Sequence, residues 1–514
     1  MLDLDRSRPW ALHLLRTALI ISLNSTFFLL STTITVFALL SQKIGLIRSP
    51  KPHTGLRNAV IRIYDGIMNG NTQGSPEVPR ILVTGVGMSK GLFIARTMYL
   101  GGCEVVGADF DNQHGNLYCG RFSSALRKFY ILKSPAIEGT DTYISQVLDI
   151  VHKEKINLWI SCSGVATAIE DARLAQVLQK STNCRVCQFD EEVVRTLDDK
   201  LQFMQKTDEL GLENLEWYAL SGVEDVAHVI RGLAEGDEGK DMKFMIKSAS
   251  MDDATRGSLP LLSSGKLKEA KEILTSLDYS NGRKWIVQEY IDSGEEYCTH
   301  ALVIDGVVRA FTACPSASIL MHYQQLDPES LLYKKMLEFT SDYAEGLGSV
   351  TGHMSFDFLL RYEETKSGYI ASLAPIECNP RCHTATVLFE GLEVDLATRY
   401  LEILNGACEG GVLQNHSRAE IGFYWMAHDV VMLASSFFDL FVAHTRLARA
   451  GAIRSMLESA NHLLFWRDPT FRWWDPLPWF ALNHLYWPWE LVLAVWHVSR
   501  WKALNVSTTK MFKM

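Results

Sequence analysis

In the stretch Ile376-Glu377-Cys378-Asn379-Pro380-Arg381, polar residues alternate along an apolar strand that a proline ends. Side chains at positions i and i+2 of a strand share one face, so Glu377, Asn379 and Arg381 project together. A lone Glu on a strand is usually a solvated surface residue, whereas three polar residues on one face indicate a binding site. Carboxylate and amide oxygens are hard ligands, so the stretch predicts a site for Mg²⁺, with Mn²⁺ as an alternative, rather than for zinc.

A second strand, Met354 to Leu359, carries the other carboxylate of this predicted site. We expect Asp357 to lie on a strand next to Glu377 and to complete the metal ligands with Asn379. Arg381 is planar and always charged, so we expect it to stabilise a transferring phosphoryl group or an anionic substrate.

Two lysines precede the metal motif. Lys200 follows Leu197-Asp198-Asp199 at the start of a helix, and Lys247 lies on the apolar strand from Lys243 to Ser248. Their ammonium groups can bind phosphates, although a strand lysine more often reaches the surface. The polar segment after Ser248 predicts a loop that folds over phosphates with Arg256 as a catalytic clamp, and an exposed hairpin turn is the alternative.

The order of these motifs resembles the ATP-grasp family. The lysines and the polar loop are followed by Gln288-Glu289-Tyr290-Ile291, Gly294 and Glu296, and then by the metal strands, between about residues 80 and 405. The resemblance implies an α/β fold in which a doubly wound N-terminal subdomain precedes two α+β subdomains that clamp ATP. It implies that the adenine contacts come from 289–291 and that Glu296 binds the ribose. The implied ATP-binding residues are Lys200, Lys247, Glu289, Tyr290, Ile291 and Glu296.

One branch of the family is more similar than the rest. The run from Glu296 through Cys298-Thr299-His300, and His383 after the metal motif, resemble the mycosporine-glycine synthase branch. This implies coupling of an amino acid such as glycine to the cyclohexenone 4-deoxygadusol, with release of ADP and phosphate. His300 and His383 are substrate-site candidates because the resembling motifs contain them. Another ATP-grasp ligase, joining a carboxylate acceptor to an amine through an acyl phosphate, is the alternative, because Cys382 and Thr384 depart from the expected residues.

The segment from Arg80 to Asp109 predicts a doubly wound subdomain. Its glycines imitate a dinucleotide site, but Lys90 occupies the place of the third small residue, so the glycine register fails. An NAD(P)-dependent oxidoreductase remains an alternative of another class, since Asp109 ends the second strand and Tyr362-x-x-x-Lys366 imitates a catalytic pair. A membrane scaffold without activity is a further alternative.

The N-terminus predicts a membrane segment, because residues 17–42 contain no charged residue and about 20 apolar residues cross a bilayer. Basic residues are more frequent after the segment than before it, which predicts a single-pass protein whose catalytic domain faces the cytosol. A cleaved signal peptide and a helix in one leaflet are alternatives. The net charge of −9 argues against a dedicated nucleic-acid binder.

The tail from Phe465 to Trp501 holds eight of the 13 tryptophans. They predict either an aromatic belt at a membrane interface or a helical appendage that packs its indoles on the catalytic body. The chain is long enough for about two to four folded units. The predicted organisation is a membrane anchor over 1–50, a linker over 51–79, a doubly wound domain over 80–195, an ATP-grasp catalytic domain over 196–410 and a helical, Trp-rich region over 411–514.

Overall fold

The structure is a computed structural model, and its fold is α/β with parallel and antiparallel sheets, as the sequence predicts. The first described helix, α1, runs from Trp10 to Lys43. Most of the predicted linker over 51–79 lies outside the described residues. The structure describes residues 10–48, 50, 78–111, 117–164, 167–235, 242–249, 260–292, 295–316, 322–365, 368–406, 410–416, 421–442, 445–505 and 510–513.

A parallel five-stranded sheet forms the first folded unit, in the order β3–β2–β1–β4–β5. Alternate residues of β1 face opposite helical layers: Ile81 packs in the same core as helix α2, and Leu82 in the core of helices α4 and α5. The sheet is therefore doubly wound, as expected. Its strands are β1 (Arg80–Thr84), β2 (Glu104–Phe110), β3 (Leu126–Leu132), β4 (Leu158–Ser161) and β5 (Arg185–Cys187). Its helices are α2 (Ser89–Leu100), α3 (Pro135–Glu138), α4 (Thr140–Glu154) and α5 (Ala168–Ser181).

The glycine turn after β1 is fixed by contacts within the first folded unit. Gly85 has a φ of +78°, and a Cβ there would lie 2.5 Å from the Cys162 carbonyl oxygen, so only glycine fits. The Asp109 carboxylate accepts a hydrogen bond from the Gly87 backbone N–H at 2.6 Å. The acidic residue that ends β2 thus holds the turn.

The second sheet is antiparallel, in the order β6–β9–β7–β8. Phe244 and Ile246 of β7 pack with its two helices, so Lys247 lies on the other face of the strand. Helices α6 (Glu191–Asp198) and α7 (Lys200–Glu209) lead into the sheet. Its elements are β6 (Trp217–Leu220), α8 (Val226–Glu235), β7 (Lys243–Ser248), β8 (Leu262–Ser263), α9 (Leu267–Thr275) and β9 (Trp285–Glu289).

The third sheet is also antiparallel, in the order β11–β10–β13–β14. Helix α10 covers one face, where Phe339 packs edge-to-face on Phe356 and Phe358. The polar residues that alternate with these aromatics therefore point to the opposite face. The elements are β10 (Glu296–Ile304), β11 (Val307–Pro315), the short strand β12 (Tyr323–Gln324), α10 (Leu331–Gly346), β13 (Gly352–Thr365) and β14 (Gly368–Asn379).

The C-terminal region is mostly helical, as predicted, and it also contains strands that the sequence analysis missed. Strand β15 pairs with β12, and β16 pairs with β17. Trp425, Trp487 and Trp501 are each only 1% exposed, so these indoles pack in the core. The elements are α11 (Glu393–Asn405), β15 (Gly422–Phe423), α12 (Met426–Val442), α13 (Arg446–Phe465), α14 (Leu477–Ala481), a π-helix over Leu482–Tyr486, α15 (Trp487–Trp496), β16 (Trp501–Asn505) and β17 (Lys510–Lys513).

Helix α1 lies against this C-terminal region through its polar residues. Arg16 donates to the Trp501 carbonyl oxygen at 2.7 Å, and Gln42, near the other end of α1, donates to the Trp473 carbonyl oxygen at 2.7 Å. Asn24 between them donates to a backbone carbonyl of the π-helix. The opposite face of α1 exposes large apolar side chains. The most exposed on the helix are Leu15, Leu29, Leu30, Phe37 and Leu40.

Candidate active site

A row of polar side chains crosses from β14 to β13. Asp357 lies directly opposite Glu377 in the antiparallel register, and the register shifts immediately after Asp357. Asn379 Nδ2 donates to Asp357 Oδ2 at 3.1 Å. A register shift like the one after Asp357 changes the direction of nearby side chains and is common beside active sites. The structure therefore brings the three predicted metal ligands together.

The donor set of this row fits a hard divalent cation. Burial raises the pKa of Asp357 well above its ordinary value, and the facing Glu377 carboxylate raises it further by charge and hydrogen bonding. A cation held between the two carboxylates would remove their mutual repulsion. Two carboxylates and an amide oxygen suit Mg²⁺, with Mn²⁺ as an alternative.

Two half-buried cations flank the row. Lys200 Nζ lies 3.6 Å from Glu377 Oε2. Arg381 Nη1 lies 3.2 Å from Asp198 Oδ1, and the guanidinium also donates to the Asn379 side-chain oxygen. Their side chains are 20% and 19% exposed, so both remain accessible to an anionic ligand. Positive charge beside oxygen ligands is the arrangement expected where a metal-bound phosphate binds.

The start of α7 fixes Lys200 in place. Asp199 caps this helix, because its carboxylate accepts a hydrogen bond from the Gln202 backbone N–H at 2.9 Å. Asp198 ends the preceding helix and pairs with Arg381. In the Asp-Asp-Lys sequence, Asp198 forms an ion pair, Asp199 caps the helix and Lys200 is the flanking cation. The sequence analysis did not predict the pairing of Asp198.

Lys247 lies on β7 of the second sheet. Its Nζ donates to Gln288 Oε1 of the neighbouring strand β9 at 2.6 Å. Gln288 is buried, and its Nε2 in turn donates to the Met204 sulfur at 3.5 Å. The ammonium of Lys247 is thus held by an amide from the motif that the sequence analysis assigned to nucleotide binding.

The predicted adenine-binding segment begins at the end of β9. The backbone N–H of Glu289 donates to the Glu216 carbonyl, and that of Tyr290 donates to the Lys243 carbonyl at 2.7 Å. The Glu289 carboxylate pairs with Arg361 of β13, which joins the second sheet to the third. Sequence analysis missed Arg361. The backbone of Ile291 is described, but no hydrogen bond places it in a sheet.

Glu296, the predicted ribose ligand, begins β10. Its Oε1 accepts a hydrogen bond from Ser316 Oγ at 3.2 Å. Arg256, the predicted clamp, lies outside the described residues, as does the loop around it.

The two predicted substrate histidines are in contact. The His383 backbone N–H donates to His300 Nδ1 at 3.3 Å, and His383 Nδ1 accepts from the Ala385 backbone N–H at 3.2 Å. Burial lowers the pKa of His383 to about 3, and the charges of Lys90 and Arg381 add to the effect. Burial also lowers the pKa of His300 well below its usual range, with His353, His383 and Lys90 adding to the effect. Both imidazoles are therefore neutral at pH 7.

Lys90 is a buried cation that the sequence analysis left without a role. Its Nζ donates to the Cys382 carbonyl at 2.8 Å and to the Ser163 carbonyl at 3.3 Å. Burial lowers its pKa. It ties the first sheet to the Arg381–His383 segment. The signal was the failed glycine register, because a lysine stands where that turn usually has a small residue.

The residues that suggested an oxidoreductase have other partners. Tyr362, 46% exposed, donates to Glu295 Oε2 at 2.6 Å, and Lys366 lies outside the described residues. The Asp109 carboxylate holds the Gly87 turn and accepts from the Phe110 N–H. In the described structure these groups serve local contacts.

No protein-family model matches the chain, and no curated protein sequence matches it. It is similar in fold to a biotin carboxylase–β,γ-ATP complex from Campylobacter jejuni, with 14% identity, coverage of 67% of this chain and 74% of that chain, and a TM-score of 0.45. N5-carboxyaminoimidazole synthetase from Staphylococcus aureus is also similar, with 12% identity, coverage of 66% of this chain and 80% of that chain, and a TM-score of 0.45. The D-cycloserine synthetase DcsG has 13% identity, coverage of 63% of this chain and 99% of that chain, and a TM-score of 0.39. The three are thus a carboxylase and two synthetases, and none of them is a mycosporine enzyme.

Proposed function

We propose that the chain is an ATP-grasp ligase that forms a carbon–nitrogen bond and releases ADP and phosphate. The facing carboxylates Asp357 and Glu377 carry this proposal, because they are held side by side with Asn379 on one sheet. Lys200 and Arg381 contact the same group of oxygens. An oxygen site between two cations is suited to a metal-bound polyphosphate.

Each side chain has a role in this proposal. Mg²⁺ held by Asp357, Glu377 and Asn379 would neutralise charge at the outer phosphates of ATP. The two lysines, Lys200 and Lys247, bind the inner phosphates from different elements. Arg381 neutralises charge on the group in transfer, together with Arg256 in the loop outside the described residues. The γ-phosphoryl group is then the one positioned to move.

The proposed ligation proceeds in two steps. An oxygen of the acceptor attacks the γ-phosphorus, and ADP leaves with the electrons of the broken bond. An amine then forms the carbon–nitrogen bond, phosphate leaves from the same carbon, and the amine loses a proton. Phosphorylation makes a poor leaving group into a good one. His300 and His383 are substrate-site candidates because the resembling motifs contain them, and each Nδ1 already accepts a backbone hydrogen bond.

The finer proposal names the substrates as 4-deoxygadusol and an amino acid such as glycine. The motif resemblance around Cys298–His300 and at His383 supports it. The second candidate is a ligase that joins a carboxylate to an amine through an acyl phosphate, which would use the same phosphate and metal side chains.

The test is a reaction of the detergent-purified full-length protein with ATP, Mg²⁺, 4-deoxygadusol and a mixture of amino acids. We expect ADP and a new amine adduct detectable by mass spectrometry. Lys247→Met should abolish both, while the exposed Lys268→Met should leave both unchanged. Failure to bind ATP and Mg²⁺ would favour a scaffold without activity, and binding of NAD(P) with hydride transfer would favour an oxidoreductase.

We also propose that α1 attaches the protein to a membrane. By length and composition α1 can cross a bilayer, and a signal sequence or a core helix passes the same test. Its polar face contacts the C-terminal region from Arg16 to Gln42, so a single-pass arrangement would carry Trp473 and Trp501 into the bilayer with it. We therefore favour a helix that lies in the cytosolic leaflet with the apolar face of α1 in the lipid, because this arrangement does not carry the C-terminal region across the bilayer.

Two helices of the C-terminal region also expose large apolar side chains. Helix α13 exposes Leu464 and Phe465, and α15 exposes Trp489 and Trp496, at 45–79% of their side-chain surface. Monomeric soluble proteins rarely expose contiguous apolar patches larger than a few hundred Å², and tryptophan is frequent at bilayer interfaces. The tryptophans of the tail thus divide between packing in the core and this proposed interface.

A further inference from the structure

Outside the candidate active site, three side chains from distant parts of the chain meet. His322 precedes β12, Asp429 lies in the first turn of α12, and His462 lies in the last turn of α13. Their potential ligand atoms all lie within 4.8 Å of one another. Asp429 Oδ2 is 2.9 Å from His322 Nε2, and Asp429 Oδ1 is 2.9 Å from His462 Nδ1.

The three side chains of this group differ in their exposure to solvent. The Asp429 side chain is 0% exposed, whereas those of His322 and His462 are 14% and 13% exposed. A buried carboxylate therefore lies between two imidazoles whose outer edges reach solvent.

A third imidazole lies beside the group. The ring centroid of His428 is 5.5 Å from that of His322. His428 is 2% exposed, and its Nε2 is buried without a hydrogen-bond partner among the described residues. A buried polar atom without a partner is costly, and it commonly marks a missing water or ion.

We propose that His322 Nε2, His462 Nδ1 and the Asp429 carboxylate bind one transition-metal ion of the Zn²⁺ class. With metal–ligand bonds of about 2.1 Å, donors at adjacent corners of the coordination shell lie roughly 3.0–3.4 Å apart. Each imidazole nitrogen lies 2.9 Å from a different oxygen of the Asp429 carboxylate, and the two nitrogens lie within 4.8 Å of each other, so a small movement of the side chains would place the three groups around one ion. Two imidazole nitrogens and a carboxylate are a typical set for zinc that keeps an open position, which the exposed side of the two histidines provides.

A second histidine cluster is less suited to a cation. His300, His353 and Cys382 also offer ligand atoms within 4.8 Å of one another, but each is at most 1% exposed. The Lys90 ammonium donates to the Cys382 carbonyl at 2.8 Å and therefore places a positive charge beside that cluster. In the described part of the chain, the ion-pair partners of Asp429 are His322 and His462, and no lysine or arginine pairs with it.

The ion would connect the C-terminal region to the neighbourhood of the candidate active site. His322 is followed by Tyr323, whose ring packs edge-on against His383, with centroids 5.9 Å apart. Metal binding at His322 would therefore restrain β12 beside a predicted substrate residue, while Asp429 and His462 fix two helices of the tail.

The test is zinc binding by the full-length protein in detergent. The protein is stripped with a chelator, then loaded with Zn²⁺ in the presence of excess Mg²⁺, which occupies the all-oxygen site. We expect about one zinc per chain by mass spectrometry of the metal, and Co²⁺ substitution should give visible absorption bands. His322→Asn and His462→Asn should each weaken zinc affinity at least about tenfold.

Controls separate this site from the others. The exposed His416→Asn and the predicted Mg²⁺ ligand variant Glu377→Gln should bind zinc as the wild type does. Thermal melting confirms that the partly exposed His322 and His462 variants are folded. Absence of stoichiometric zinc in the loaded wild type would overturn the proposal. So would wild-type affinity in both variants, or zinc binding that Cys382→Ser removes while His322→Asn keeps it.

Discussion

Glu377 faces Asp357 across a strand pair and contacts Lys200, so its charge is central to the proposed metal site. Glu377→Gln preserves the shape of the side chain and removes that charge. We predict that ATP turnover falls at least about a hundredfold while the thermal midpoint changes little. The measurement is ADP release at saturating Mg²⁺. Glu338→Gln, on the exposed face of α10, is the control, and near-wild-type turnover in Glu377→Gln would refute the metal assignment.

Lys90 reaches from helix α2 to the carbonyl of Cys382, next to Arg381. Lys90→Met would leave that carbonyl and the Ser163 carbonyl without this donor. We predict that the segment shifts and that turnover falls at least about tenfold, because small displacements at a reacting centre are costly. The readout is ADP formation beside the thermal midpoint, with the exposed Lys180→Met as control. Unchanged turnover would show that Lys90 only packs.

Local pattern predicts some of these residues and not others. Glu377, Asn379 and Arg381 could be grouped because strand alternation is a property of neighbouring positions, and Asp357 was added from the order of the motifs. The partners of Arg361 and Lys90 lie 72 and 292 positions away, and no local pattern shows such pairs. The assigned roles of the site residues remain predictions.

Among the elements, α2 is joined to the tail by a buried ion pair. Arg96 Nε lies 2.9 Å from Asp475 Oδ2, and both side chains are 2% exposed. Removing one partner of a buried pair costs about 3–5 kcal/mol, since the other charge stays buried. We predict that Arg96→Met destabilises the protein by roughly that amount and exposes the tail to protease. Arg80→Met, which breaks a partly exposed pair with Glu104, should cost about 1 kcal/mol or less. Equal effects of the two variants would contradict the proposed importance of the Arg96 contact.

The face of α1 could not be predicted from its composition. Hydropathy identified a long apolar helix, but Arg16 and Asn24 turn toward backbone carbonyls of a region more than 450 positions away. The long-range contacts therefore decide which side meets the rest of the protein. The same reason explains why the β16–β17 hairpin was missed in a region that reads as helical.

The exposed face of α1 makes the proposed membrane attachment testable. Leu29 and Leu40 are 72% and 57% exposed, whereas Ile20 is 1% exposed. We predict that Leu29→Ser with Leu40→Ser shifts protein from the membrane pellet to the supernatant without lowering the thermal midpoint. Ile20→Ser should instead lower that midpoint, because it places a hydroxyl in the core. Retention of the double variant in the pellet would argue against attachment through this face.

At the scale of the whole molecule, the succession of one parallel and two antiparallel sheets follows the order that the motifs predict. Alternating strands and helices indicate a parallel sheet from the local pattern alone, so this part of the fold could be predicted from the sequence. The proposed division at residues 195 and 410 remains a prediction. Contacts such as Glu289 with Arg361 and Lys90 with Cys382 join the units and have no signature in either segment alone.

The most direct test of the proposed ligase is the identity of its nucleotide product. The full-length protein would be incubated with ATP, Mg²⁺, 4-deoxygadusol and amino acids, with nucleotides followed by phosphorus NMR and adducts by mass spectrometry. We predict ADP and phosphate in step with a new carbon–nitrogen bond, lost in Glu377→Gln and kept in Glu338→Gln. ADP formed with another acceptor would refute only the mycosporine substrates. AMP with pyrophosphate, or no consumption of ATP by the folded protein with any acceptor, would contradict the proposed ligase.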